Sequence, residues 1–136
     1  MLSTFFANIK ILPVIATALA SMIVGSLWYS PLILGKIWIK EVGLRQEDIN
    51  MHVGNLFGAM FINISLVLGI NYFAYLLNIT SLSSMLELSL ILWSCFIAST
   101  LFSPVIWAKK SIHLYLIDAG HWLAIMTTIS VVSSLF

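Results

Sequence analysis

Few side chains in this sequence can move a proton or hold an ion, and two of them lie one helical turn apart. Asp118 and His121, in the stretch LYLIDAGHWLAIM (Leu114 to Met126), fall on one helix face. A helix starting near Ile112 carries Asp118 roughly 9 Å along its axis, with His121 one turn deeper. A carboxyl and an imidazole withdrawn together from water can titrate near neutral pH, as a proton relay or ion-coupling site requires. The same pair has a second reading as an interhelical clamp. Asp118 would then bond to Asn55, to Asn63 or to a serine on a neighbouring helix, or to the long side chain of Lys109 or Lys36. Asn63 is the candidate neighbour common to both readings.

The remaining reactive residues form no recognisable set. His52 and His113 could join His121 only without the His-x-x-x-His or Glu-x-x-His spacing that presents ligands on one helix face. We therefore expect no bound metal and no cofactor. Gly-rich phosphate loops and nucleophile triads are lacking too, so an enzyme is the minority reading. Glu87 follows Ser84 by three residues, the spacing of a capping box with Ser84 as N-cap. The one cysteine, Cys95, lies in an apolar run and has no internal disulfide partner.

These residues sit in a chain that lipid must dissolve. Of 136 residues, 61% are apolar and 8% charged, which a single soluble core of this size could not absorb. The net charge of +1, without clustered Lys or Arg, excludes a nucleic-acid surface. About 20 apolar residues cross the hydrocarbon as a helix. Four segments qualify: 11–29, 55–77, 85–107 and 112–136. No barrel-like alternation appears, and the expected fold is all-α, one transmembrane domain over 1–136. The first segment resembles a signal peptide, with Lys10 before the apolar run and Ala18-Leu19-Ala20 like a cleavage site. Because the run continues to Leu27, we read a retained helix.

Lys36, Lys40 and Arg45 lie between the first two segments and Lys109 and Lys110 between the last two, whereas Lys10 lies on the other side. The positive-inside rule then puts both basic connections in the cytoplasm and both termini outside, in a plasma membrane. In GSLWYSPLILGKIWIK (Gly25 to Lys40), Ser30 is a good N-cap and Pro31 a good first helical residue. The chain is expected to break there and continue as a short interfacial helix over 31–40. Lys36 and Lys40 would reach headgroups while Leu32, Ile33, Ile37 and Trp38 sink toward acyl chains. The pattern recurs: SLWYSPLILGK (Ser26 to Lys36) aligns with STLFSPVIWAK (Ser99 to Lys109), and GNLFGAM (Gly54 to Met60) with GHWLAIM (Gly120 to Met126). Two similar helical hairpins follow from that alignment. Small residues spaced by four, among them Gly54 and Gly58, Ser21 and Gly25, and Gly120 and Ala124, allow helices to approach closely within the bundle or between copies of a homo-oligomer.

The run LWYSPLILGKIWIKEVGL and the later LYLIDAGHWLAIM together resemble the bacterial membrane proteins grouped as domain-of-unknown-function family 1761. That family's hallmark is a small residue, any residue, then Leu-Trp-Tyr-Ser-Pro, followed by Gly-Lys and a second tryptophan. In its last-helix motif we expect Asn more often than Asp at the position of Asp118. The resemblance implies a four-helix integral membrane protein and brings no catalytic residues. Two functions stay open: a small transport or permeation protein with its polar site at Asp118 and His121, or a non-catalytic scaffold in which they are clamps.

Overall fold

The computed structural model describes residues 1–45, 47, 49 and 52–136. Among these the protein is helical throughout, with no strand. In chain order the helices are α1 (Leu2–Asn8), α2 (Ile11–Trp28), α3 (Gly35–Val42), α4 (Val53–Leu76), α5 (Leu82–Leu92), α6 (Ser99–Trp107) and α7 (Ile112–Ser133). A π-helical turn over Trp93–Ala98 joins α5 to α6. That continuous segment, with α2, α4 and α7, gives four helices long and apolar enough to cross a membrane. The protein is a multi-pass membrane protein.

Its burial pattern matches that solvent. Only the seam between helices is sealed, by Ala18, Val67, Ile70, Met85, Leu88, Ile125, Met126 and Ile129. Large apolar side chains such as Ile23, Leu56, Phe57, Phe61 and Phe96 point outward, where acyl chains cover them at no cost. α7 is the hub. It packs most extensively on α2 and then on α5, and α2 packs in turn on α4. The seam carries small polar groups that are internally bonded: Ser89 and Ser130 share a hydrogen bond of 2.6 Å, Ser130 Oγ reaches Met85 O at 3.1 Å, and Ser21 donates to Thr17 O at 2.9 Å. Such residues satisfy themselves and keep the backbones close.

The chain breaks after Trp28, but not by the expected mechanism. Tyr29 and Ser30 close α2, Pro31 to Leu34 form turns, and α3 begins at Gly35 with Leu34 at its N-cap. Ser30 is therefore no N-cap, and Pro31 is not the first helical residue. Instead the Ser30 carbonyl accepts from Ile33 N and Gly35 N at 3.1 and 2.9 Å, and the buried Ser30 hydroxyl has no partner. Proline still explains the stop, because its ring would clash with the carbonyl four residues back in a continuing helix. Gly35 explains the tightness: a Cβ there would lie 2.2 Å from Tyr29 O.

The apparent echo at Ser103-Pro104 behaves differently. Pro104 lies inside α6, which runs on to Trp107. Upstream, Thr100 and Ser99 hydroxyls bond to Phe96 O and Cys95 O beside the π turn, one of the local adjustments that let a membrane helix tolerate proline. Other expectations also shift. Ser81, not Ser84, caps α5; its hydroxyl accepts from Ser84 N at 3.2 Å, so the Ser84–Glu87 capping box does not form, and Glu87 is exposed. α7 ends at Ser133 rather than 136. The sequence reading had no counterpart to α1, whose buried Phe5 packs edge-on against Tyr72 with centroids 5.2 Å apart.

Replacing Gly35 with Ala should cost roughly 2 kcal/mol or more, since the opposing atom is backbone and cannot yield. Thermal unfolding in mild detergent checks this; Gly54→Ala, where a Cβ would meet nothing within 4 Å, serves as the neutral control.

Candidate functional site: an aromatic collar on the last helix

Asp118 lies one and a half turns into α7, on the face shared by the end of α2 and by α3. Its Oδ1 accepts two hydrogen bonds, from the Tyr29 hydroxyl at 2.8 Å and from the Trp38 indole N–H at 3.0 Å. Its two backbone neighbours are held the same way. Trp28 Nε1 donates to Ile117 O at 3.1 Å, and Trp93 Nε1 donates to Ala119 O at 2.8 Å. Four aromatic donors from three other segments thus converge on three consecutive residues of α7.

Each donor is there for a local reason. Trp28 and Tyr29 are the last residues before the proline turn, so both lie at the level where α2 ends. The turn at Ser30 to Leu34 folds α3 back against α7 and brings Trp38, on its second turn, to the carboxyl group. Trp93 opens the π turn, where the extra residue per turn re-aims side chains relative to an α-helix. An indole N–H in a membrane protein has a strong reason to find an acceptor, because lipid offers none.

Close approach of α2 and α7 makes the arrangement possible, and it is reciprocal. A Cβ on Gly25 would meet His121 Nε2 at 3.0 Å, while one on Gly120 would meet the Trp28 ring at 3.0 Å. Each glycine makes room for a ring of the opposite helix. Gly54 and Gly58 serve no such purpose within the chain, since both are exposed with nothing near a would-be Cβ.

His121 does not hydrogen-bond to Asp118. Its ring lies against that of Tyr29, centroids 4.7 Å apart, and against Trp122 at 5.0 Å; its buried Nδ1 has no partner. Tyr29 therefore stands between the two residues, touching His121 with its ring and Asp118 with its hydroxyl. The clamp partners expected from the sequence are elsewhere. Asn63 is buried but donates to Ala59 O of its own helix at 2.9 Å, leaving Oδ1 unpartnered; Asn55 is exposed, as are Lys36, Lys40 and Lys109. Trp38 does not sink toward acyl chains, whereas Leu32, Ile33 and Ile37 do face outward. His113 lies 4.0 Å from Glu41, apart from His121, and among the described residues no three His, Cys, Asp or Glu side chains gather as metal ligands.

Apart from Trp93, the residues of this collar are those of the two motifs singled out in the sequence. The sequence model of the family described as "Protein of unknown function (DUF1761)" matches residues 12–134. The chain belongs to that family. No curated protein and no solved structure matches it. The DUF1761 match spans α2 to the last residues of α7 and so takes in every donor to Asp118 and its neighbours. Sequence reasoning paired none of the four donors with this turn of α7, and Trp93 lies outside both motifs. A tryptophan in the middle of an otherwise apolar span was the available signal, because its N–H must be satisfied there.

Tyr29→Phe and Trp38→Phe should each lower stability by about 0.5–2 kcal/mol, within the range for interhelical hydrogen bonds in membranes. Because both bonds end on one oxygen, each single variant leaves that oxygen a donor, and the double variant, which removes both, should lose more than the sum of the two. A double-mutant cycle on unfolding in mixed micelles measures this.

Proposed function

We propose that this DUF1761 protein is a non-catalytic membrane scaffold or accessory subunit, in which Asp118 fixes the register of the bundle. The supporting observation is the convergence of Trp28, Tyr29, Trp38 and Trp93 on the turn of α7 around Asp118. A carboxyl oxygen already engaged by two fixed donors is poorly placed to exchange partners with a passing ion. The same bonds tie α2, α3 and the α5–α6 segment to one level of α7, which is what a rigid framework needs. In this reading the four spans form two hairpins in a bacterial inner membrane, with both termini outside. α3 lies in the cytoplasmic interface with Lys36 and Lys40 at the headgroups. The open Gly54 and Gly58 face of α4 would receive a second copy or another membrane protein.

One observation favours a second reading, a small transport or permeation protein. The buried Nδ1 of His121 is unpartnered and lies beside the Tyr29 ring, so Asp118, Tyr29 and His121 could together receive a proton or a small cation.

Vesicles reconstituted with the wild type and with Asp118→Asn separate the two. The scaffold reading expects proton, potassium and small-solute fluxes equal to those of protein-free vesicles for both proteins. It also expects Asp118→Asn to stay within about 1 kcal/mol of wild type and Asp118→Ala to lose about 1–3 kcal/mol, since only alanine strands both donors. A flux present in wild type and lost in Asp118→Asn would establish transport instead.

A further inference from the structure

At the end of the bundle opposite Asp118 lies a cavity of about 190 Å³ between the start of α2, the later part of α4 and the end of α7. Asn8, Lys10, Thr17, Asn71 and Ser133 contribute its polar wall, and Ile9, Pro13, Val14 and Phe136 complete it. Lys10 is the one side chain of this lining that carries a charge. It is also the N-cap residue of α2. Thr17 is a separate observation. It is 1% exposed and lines the cavity, and while its carbonyl accepts from Ser21, its hydroxyl makes no hydrogen bond to another described residue. Its hydroxyl is therefore free to bond to a ligand oxygen in the cavity. Two further donors face the same space: Asn71 uses one amide N–H on Ser133 Oγ at 3.2 Å, which leaves its second N–H and the Ser133 hydroxyl proton to donate.

A cation and three neutral donors, with no carboxylate side chain among the lining residues, suit an oxyanion. We infer that this end of the bundle binds a phosphate group, supplied by an anionic phospholipid headgroup or by phosphate in solution. Lys10 supplies the countercharge, and Thr17, Asn71 and Ser133 orient the oxygens. The apolar side made by Ile9, Pro13 and Val14 continues toward the lipid-facing surface of α2, where Leu12 and Ile15 are exposed. A phospholipid could thus leave its acyl chains in the bilayer while its headgroup enters.

The test uses the full chain in phosphatidylcholine nanodiscs, titrated with inorganic phosphate or prepared with increasing phosphatidylglycerol, and reads the thermal unfolding midpoint. A saturable rise is expected with at least one of them. Lys10→Gln and Thr17→Val should each weaken the apparent affinity, Lys10→Gln by about tenfold as a charge-assisted bond is lost. Lys110→Gln, beyond the far end of the bundle, should leave it unchanged. A response to inorganic phosphate alone assigns the site to soluble anions, and a response to phosphatidylglycerol alone assigns it to the headgroup. The inference is overturned if neither raises the wild-type midpoint, or if the Lys10, Thr17 and Lys110 variants respond alike. Lys10 is exposed, so its variant keeps the test decisive even should Thr17→Val fold poorly.

Discussion

Lipid supplies no hydrogen-bond partner, so each polar group that descends into the bilayer must find one inside the chain. In this protein that constraint concentrates on one turn of α7. Three indole N–H groups and one phenol would be stranded without the Asp118 carboxyl and the adjoining carbonyls, and Asp118 would be costly there without its donors. The requirement is mutual, and it links α2, α3 and the π turn to α7. The reciprocal pair of Gly25 under His121 and Gly120 under Trp28 accompanies it, because the Trp28 indole reaches Ile117 O only if the two backbones come close.

Away from that level the bundle is held by smaller means. Ser89 and Ser130 bond across α5 and α7, and Asn71 reaches Ser133 between α4 and α7. Apolar packing adds dispersion contacts, but in lipid it adds no hydrophobic drive, since an acyl chain solvates an isoleucine as well as a neighbouring helix does. This accounts for a narrow sealed seam under a wide apolar exterior. It also explains why α4 has its buried residues within Asn63 to Ala74 and leaves its first turns, with Gly54 and Gly58, uncovered.

The two ends of the molecule differ in chemistry. Near Asp118, four aromatic donors are spent on one turn of α7 and the tie is internal, while the Ser30 hydroxyl and His121 Nδ1 stay unpartnered. At the other end Lys10, Thr17, Asn71 and Ser133 leave donors unspent around a cavity. The bundle is thus tied at one level and carries a cavity with a polar wall at the other.

Composition and run length were enough to read an all-helical membrane chain with four spans, because hydrocarbon thickness and backbone satisfaction leave few alternatives. The two motifs around Trp28 and Asp118 were enough to suggest the family. Asp118 stood out because an acid in an apolar run demands a partner, yet the partner could not be named: Asn63 and the lysines were as plausible by type as Tyr29 and Trp38. That choice depends on how the Ser30 to Leu34 turn folds α3 back onto α7, and on Gly35 fitting against Tyr29 O, both set by contacts distant in sequence. Likewise Ser30-Pro31 and Ser103-Pro104 read alike, but one follows a helix end and the other rides inside a helix beside a π turn. The sequence by itself determined the solvent, the four spans and the residue that needed a partner. Only the tertiary structure decided which donors answer it, because that depends on which side chains the packed backbones bring within 3 Å, and residue type does not encode that distance.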